Sequence, residues 1–425
     1  MKRRDFFLFL GAVSLQSGLR NPQRRSSFKS LSSVGLSARP LTVSLDSSPN
    51  QSTLPKGHYS SMDAWIEIDL KAIKANLTQI KKKAGVRIMA VVKANAYGHG
   101  LIEVSKALQE AGVDWLMVGK LEEAIWLRQA GLKSPILNFG PFDRSDAEAL
   151  IENRISQSVY TDEVFRLAEV AAKKGTRASI HLDLDTGMGR TGIPYKQAMD
   201  LLEKIASHRY LHLEGLSTTL TEEVDFDREQ VRRLNEIYSQ AKKKGINCGL
   251  RHAASSAGLL ESSDFCLDMV RPGITLYGYY PNDKTQKEDP LNLQPALRLK
   301  AKVIFIKDLT PGETLSYHRV FKAEKKMRVA TLGLGYSDGY QPQLGGRAWV
   351  LIRGRKYSVL PLITANHLMI DLQNNEEIKI GDEAFLIDTD KKSESTADRL
   401  SSASGISPYR LLIGLNPLLP RFYFN

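Results

Sequence analysis

IMAVVKANAYGHG, residues 88–100, decides how the rest of the chain is read. Ile88 to Val92 is an apolar run of the length of a buried strand. Lys93 stands where that strand should end, and Ala94, Asn95, Ala96, Gly98 and Gly100 then supply small and turn-forming residues. Lysine is depleted from buried strand ends, so its place needs a reason. One reading is a lysine that snorkels its ammonium to solvent. The other is chemical: a desolvated lysine has a lowered pKa, and its neutral amine forms a Schiff base with a carbonyl compound or with pyridoxal phosphate.

On either side of this stretch the elements alternate regularly. WIEIDL (65–70) reads as a strand that leads into a helix over 71–83. After the Lys93 strand come a helix from Leu101 to Gly112, the strand WLMVG (115–119) and a helix that stops at Gly131. PILNFG, SQSVY, ASIHLDLD and LHLEGLST follow as strands, each with an amphipathic helix behind it, and GLRHAAS and DMVRPG close the series. Roughly eight strand–helix units over such a span predict an α/β TIM barrel rather than an open sheet. From Ala296 the pattern changes to strands separated by turns such as Thr310-Pro311-Gly312. A mainly β domain is expected there. The expected bounds are 1–60 for a leader, 61–292 for the barrel and 293–425 for the β domain.

Charge narrows the function classes. Of 425 residues, Lys and Arg exceed Asp and Glu by 12, and the first 60 residues carry +7 of that excess. The rest of the chain has no basic surplus suited to nucleic acid. Lys2, Arg3 and Arg4 precede an apolar run from Phe6 to Leu15 that is short for a bilayer span. The segment 1–60 therefore reads as an export or transit sequence, or as a stretch upstream of the true start. A cytoplasmic location is expected, with export or transit through this basic segment as the alternative, and no stable membrane span. Two cysteines, Cys248 and Cys266, make neither a disulfide framework nor a metal spacing, and no metal is expected.

In a TIM barrel, functional residues collect at the C-terminal ends of the strands. Lys93, Arg190, Thr219, Ser256 and Arg271 all fall at such ends. Gly273 and Ile274, just after Arg271, offer backbone N–H groups suited to a phosphate. Singly, each has a bland alternative: Arg190 and Arg271 as surface arginines, Tyr317 as a strand tyrosine, His252 as a core histidine. His99 and His367 read as structural.

Together they carry a resemblance. KANAYGHG (93–100), DTGMGRTG (185–192), MVRPGITLYG (269–278), PGETLSY (311–317) and GLGYSDGY (333–340) resemble, in order, the motifs of the alanine racemase family, fold-type III pyridoxal phosphate enzymes. The resemblance covers about 64–424. It implies pyridoxal 5'-phosphate as cofactor, alanine as substrate and a homodimer. Lys93 then matches the cofactor lysine and one base, and Tyr317 the second base, donated across the dimer interface. Tyr97, Ser256, Gly273, Ile274 and Tyr409 match phosphate-binding positions. Arg271 matches the arginine at the pyridine nitrogen, with His252 beside it. Arg190 and Ala365 match substrate-carboxylate contacts. The implied reaction is two-base interconversion of L- and D-alanine, supplying D-alanine for peptidoglycan. A broader amino-acid racemase and a non-catalytic pyridoxal phosphate-binding barrel are the alternatives.

Four positions depart from the family pattern. Asp183 stands where a lysine, often carbamylated, is usual, and its carboxylate is expected to orient Arg190. Thr219 replaces a histidine that links the tyrosine base to the cofactor arginine. Asn366 replaces an aspartate, and Ser255 an asparagine.

Overall fold

Eight of the apolar runs pair side by side into one closed parallel sheet. The structure, a computed structural model, describes residues 62–288 and 291–425; the basic segment 1–60 lies outside the described residues. The barrel strands are Arg87–Val91, Trp115–Val118, Ile136–Asn138, Ser156–Val159, Ala178–Asp185, Leu211–Ser217, Leu250–His252 and Met269–Val270. Each pairs in parallel with the next, and the last returns to the first through Met269 opposite Arg87. Runs such as Arg87–Val91, Trp115–Val118 and Ile136–Asn138 are largely apolar because a barrel strand is buried on both faces, against the interior and against the helix ring. Ser156–Val159 and Ala178–Asp185 also carry buried polar side chains. Ile88, Met89, Ala90 and Val92 are all fully buried. Burying a side chain the size of Ile88 contributes about 1.5–3 kcal/mol. A short strand, Ile193–Pro194, adds to the outer end of Ala178–Asp185.

The helices that return the chain are stopped as their sequences dictate. Leu70–Ala84 is capped by Asp69, whose carboxylate accepts from Ala72 N–H at 2.9 Å, and it ends at Gly85 in the left-handed region after Lys81, Lys82 and Lys83.

The second sheet is mainly antiparallel. Its order runs Arg355–Ser358, Trp349–Ile352, Glu383–Ile387, Leu297–Leu309, Ala64–Asp69, Arg421–Phe424, with Met327–Leu332 and Leu368–Asp371 paired along the far part of Leu297–Leu309. One expectation is corrected here. Ala64–Asp69, which contains WIEIDL up to Asp69, is not a barrel strand. It lies inside the second sheet, antiparallel to Leu297–Leu309 and parallel to Arg421–Phe424. The physical reason is that an apolar strand reports burial and not its partner: Ile66 and Ile68 are fully buried here as they would be in the barrel. The β sheet thus takes one central strand from the beginning of the described chain and an edge strand from its end.

Candidate active site

The Lys93 strand ends in an unusual turn. Ala94, Asn95, Ala96 and Tyr97 have φ of 54°, 55°, 52° and 53°, one turn of left-handed helix without a glycine. Such a conformation costs roughly 1–2 kcal/mol per residue, so the surroundings must hold it. Several groups do. Ala96 N–H donates to Val92 O at 2.8 Å, and Leu101 N–H to Asn95 Oδ1 at 2.8 Å. Buried Glu123, in the first turns of helix Leu121–Gln129, accepts from Asn95 N–H at 3.1 Å and from Gly119 N–H at 3.2 Å. Arg421 Nε, from the last strand, donates to Gly98 O at 2.9 Å. The turn carries a partly buried Lys93 whose amine is held below the usual lysine range, first by burial and then by the positive charges of Arg190 and Arg271; Glu123 opposes the shift. A lysine so placed is a better nucleophile and base near neutrality.

Arg271, after the last barrel strand, is buried and caged by acceptors. Its Nη1 donates to His252 Nδ1 at 2.7 Å and His252 O at 2.8 Å; its Nη2 donates to Thr218 O at 2.8 Å and Ala253 O at 3.1 Å. Burial lowers its pKa to about 10, so it stays protonated at neutral pH. Phe139 lies 5.9 Å under the guanidinium.

Tyr97, Ser256, Gly273, Ile274 and Tyr409 come together beside the same turn. Ser256 Oγ accepts from Gly273 N–H at 2.9 Å and Thr275 N–H at 3.4 Å, and lies 3.1 Å from Thr275 Oγ1. Tyr97 stacks on Tyr277 at 5.0 Å and meets Tyr409 at 5.9 Å. Burial raises the Tyr97 phenol to about 12, which keeps it a hydrogen-bond donor. Hydroxyls and backbone N–H groups at this end suit a phosphate, an amine suits an aldehyde, and a donor-only guanidinium suits a ring nitrogen. The donor set fits pyridoxal phosphate.

The remaining predicted residues are more scattered. Arg190 is exposed but close enough to depress Lys93. Asp183 is buried, and its carboxylate accepts from Ser217 Oγ at 2.7 Å. It makes no direct ion pair with Arg190 among the described residues, so its expected orienting contact is not formed; an aspartate is too short to span what a carbamylated lysine would. Ala365 is partly exposed, and its N–H has no hydrogen-bond partner among the described residues. Tyr317 follows the short strand Thr314–Leu315 and is 70 % exposed. Thr219 is partly exposed, and its carbonyl accepts from Gln230 Nε2 at 2.9 Å.

Sequence reasoning missed Glu123, Tyr277 and Arg421. Glu123 in the first turn of a helix looks like an ordinary dipole partner. Tyr277 was legible only as part of a motif. Arg421 gave no signal, because its partner is 323 residues away in the chain.

A barrel with an amine-bearing strand end, followed by an interlocked β domain, is the class that fold and site define. The family model "Alanine racemase, N-terminal domain" matches residues 68–281, and "Alanine racemase, C-terminal domain" matches 296–423. The chain is 37 % identical over 366 residues to alanine racemase of Clostridium perfringens (strain SM101 / Type A), covering 84 % of this chain and 95 % of that protein. Among solved structures, alanine racemase of Clostridium difficile 630 superposes with a TM-score of 0.80 at 32 % identity, covering 86 % of this chain and 96 % of that one. That of Bacillus anthracis with bound L-Ala-P gives a TM-score of 0.80 at 31 % identity, over 85 % and 95 %. The chain belongs to the alanine racemase family, a family of isomerases. Among the described residues, no helix is long and apolar enough to cross a membrane.

Proposed function

We propose that this chain is a pyridoxal phosphate-dependent alanine racemase that interconverts L- and D-alanine and supplies D-alanine for peptidoglycan. The observation that carries the reading is the desolvated Lys93 amine between the charges of Arg190 and Arg271, on a family-matching turn. Lys93 would hold the cofactor, with Tyr97, Ser256, Gly273, Ile274 and Tyr409 at its phosphate. Bound there, the cofactor supplies an electron sink that makes the substrate Cα–H acidic.

The chain's own groups do the rest. Lys93, its pKa lowered by burial and by the charges of Arg190 and Arg271, takes or returns the Cα proton on one face. Tyr317 of a second subunit serves the opposite face; its exposure in the single chain supports a dimer-dependent site. Arg271 donates toward the ring nitrogen and, with His252 beside it, keeps its proton. Arg190 and the Ala365 N–H bind the substrate carboxylate.

The test uses purified protein with L-alanine and with D-alanine in D2O. Both enantiomers should exchange the Cα hydrogen and interconvert, and borohydride reduction should leave the pyridoxyl group on Lys93. A label on another lysine removes Lys93 from its role, and absence of exchange with a fully loaded protein removes the racemase reading.

A further inference from the structure

The Arg271 cage does not end at His252. A guanidinium only donates, so the 2.7 Å contact requires a lone pair at His252 Nδ1. Burial, with the charge of Arg271, holds His252 well below the usual histidine range, so the ring is neutral. Its one proton is then on Nε2. That atom lies 2.9 Å from His181 Nδ1, which must accept. His181 is likewise buried and neutral, its pKa depressed to about 3, so its proton is on its own Nε2. Among the described residues His181 Nε2 has no hydrogen-bond partner, but it stands 3.8 Å from Glu214 Oε2. The protons that link the row, on Arg271 Nη1, His252 Nε2 and His181 Nε2, are therefore directed in one sense, from Arg271 toward the Glu214 carboxylate.

The far end is built. Ile180 pairs with Leu213 but His181 pairs with Gly215, so Glu214 is the extra residue of a β-bulge, a device that re-aims a side chain. A Cβ at position 215 would come within 2.6 Å of His181 Nδ1, so only glycine allows this approach. Ser156 Oγ and Ser179 Oγ donate to the Glu214 carboxylate at 2.6 and 3.0 Å, and Trp115 stands edge-on to His181 at 5.1 Å. A cavity of about 620 Å³ opens on Trp115, Ser156, Ser179 and Glu214. Trp115, Ser156 and Ser179 lie at or next to the N-terminal ends of their strands, opposite the Lys93 end, and Glu214 lies midway along its own.

We infer that His181 is a positioning residue of this site: by accepting from His252 Nε2–H it fixes the His252 tautomer whose free Nδ1 holds Arg271. Were His252 to carry its proton on Nδ1, two donors would meet at hydrogen-bond distance and Arg271 would lose its shortest contact. The inference rests on Arg271 facing the cofactor ring, as proposed above.

The test compares the holoenzyme with its His181→Asn and His181→Leu variants, labelled with 15N at histidine. Asn offers Oδ1 where Nδ1 stood; Leu offers no acceptor. The 15N ring shifts report the tautomer of His252, assigned by elimination in the His181 variants. Wild type and His181→Asn should both show the Nε2–H form, with kcat within about threefold of each other. His181→Leu should shift His252 toward the Nδ1–H form and lower kcat about tenfold at a nearly constant KM. Equal loss in both variants means packing alone and overturns the inference, as does an unchanged tautomer in His181→Leu. Should His181→Leu fail to fold, an Nδ1–H form of His252 in wild type overturns it and an Nε2–H form preserved in His181→Asn supports it. The tautomer is read independently of turnover, so a failure here is distinct from a failure of the racemase reading.

Discussion

Asp183 carries a carboxylate to a place where water does not follow. Burial raises its pKa to about 6, against the hydrogen bond from Ser217 and the charges of Arg271 and Arg190, which lower it. The sign follows from linkage. Between an unfolded pKa near 3.8 and a folded value of about 6, the folded protein binds more protons than the unfolded chain. Stability from this group is therefore greatest at low pH and falls as pH rises through that window, by up to about 3 kcal/mol. Asp183→Asn cannot titrate. The stability of wild type minus that of Asp183→Asn, from urea unfolding, should shrink between pH 4.5 and 7.5; a constant difference would mean that Asp183 is ionised throughout. Thr219 makes the complementary case. Its backbone accepts from Gln230, and a short hydroxyl cannot titrate near neutrality. Tyr317 should then be the slower base, and the substrate isotope effect should be larger from L- to D-alanine than in reverse. Thr219→His should reduce that asymmetry, and equal effects in both directions would acquit the position.

At the scale of the element, the Lys93 turn joins strain to function. Four left-handed residues cost several kcal/mol together, roughly 4–8 by the per-residue figure. Glu123, Asn95 and Arg421 hold them in place. Gly98 ends the turn at φ 82°, where an added Cβ would overlap the carbonyl of Leu412 from helix Pro408–Ile413. Gly98→Ala should cost roughly 2 kcal/mol or more. It should also release the pyridoxyl chromophore in proportion, because the displaced helix carries Tyr409. Thermal unfolding with cofactor absorbance measures both, and full cofactor retention in a destabilised variant would separate the turn from the site. The position of Lys93 was legible in the sequence because a charge at the end of an apolar run is conspicuous. The hand of the turn was not, since Ala94 and Ala96 carry no preference for positive φ. The barrel was legible from its repeated apolar runs. The place of Ala64–Asp69 was not, because burial is encoded locally and strand partnership is encoded by distant sequence.

At the scale of the whole molecule, the described chain closes on itself. Strand Ala64–Asp69 lies between Leu297–Leu309 and Arg421–Phe424, and Arg421 reaches on to the Lys93 turn. The β domain thus braces the strand end that bears the amine. Its other contribution points outward. Tyr317 is 70 % exposed and sits among residues of positive φ, Ser316 at 62°, His318 at 59° and Arg319 at 53°. This exposed tyrosine sits on a costly stretch of backbone, and the proposed reaction needs a base on the opposite face of a substrate at Lys93. Under the proposed function the two would meet in a dimer, with each Tyr317 lent to the other barrel. A sharp consequence follows from the symmetry of such an exchange. Lys93→Ala and Tyr317→Phe each remove one base from both sites of their own homodimer. In a mixed dimer, one site receives both lesions and the other receives neither. Mixing the two inactive proteins under conditions of subunit exchange should therefore restore activity, approaching one intact site per mixed dimer and about a quarter of wild-type activity for random exchange of equal amounts. Failure to recover activity, with mixed dimers demonstrated by mass, would place Tyr317 in its own subunit's site or outside the reaction altogether.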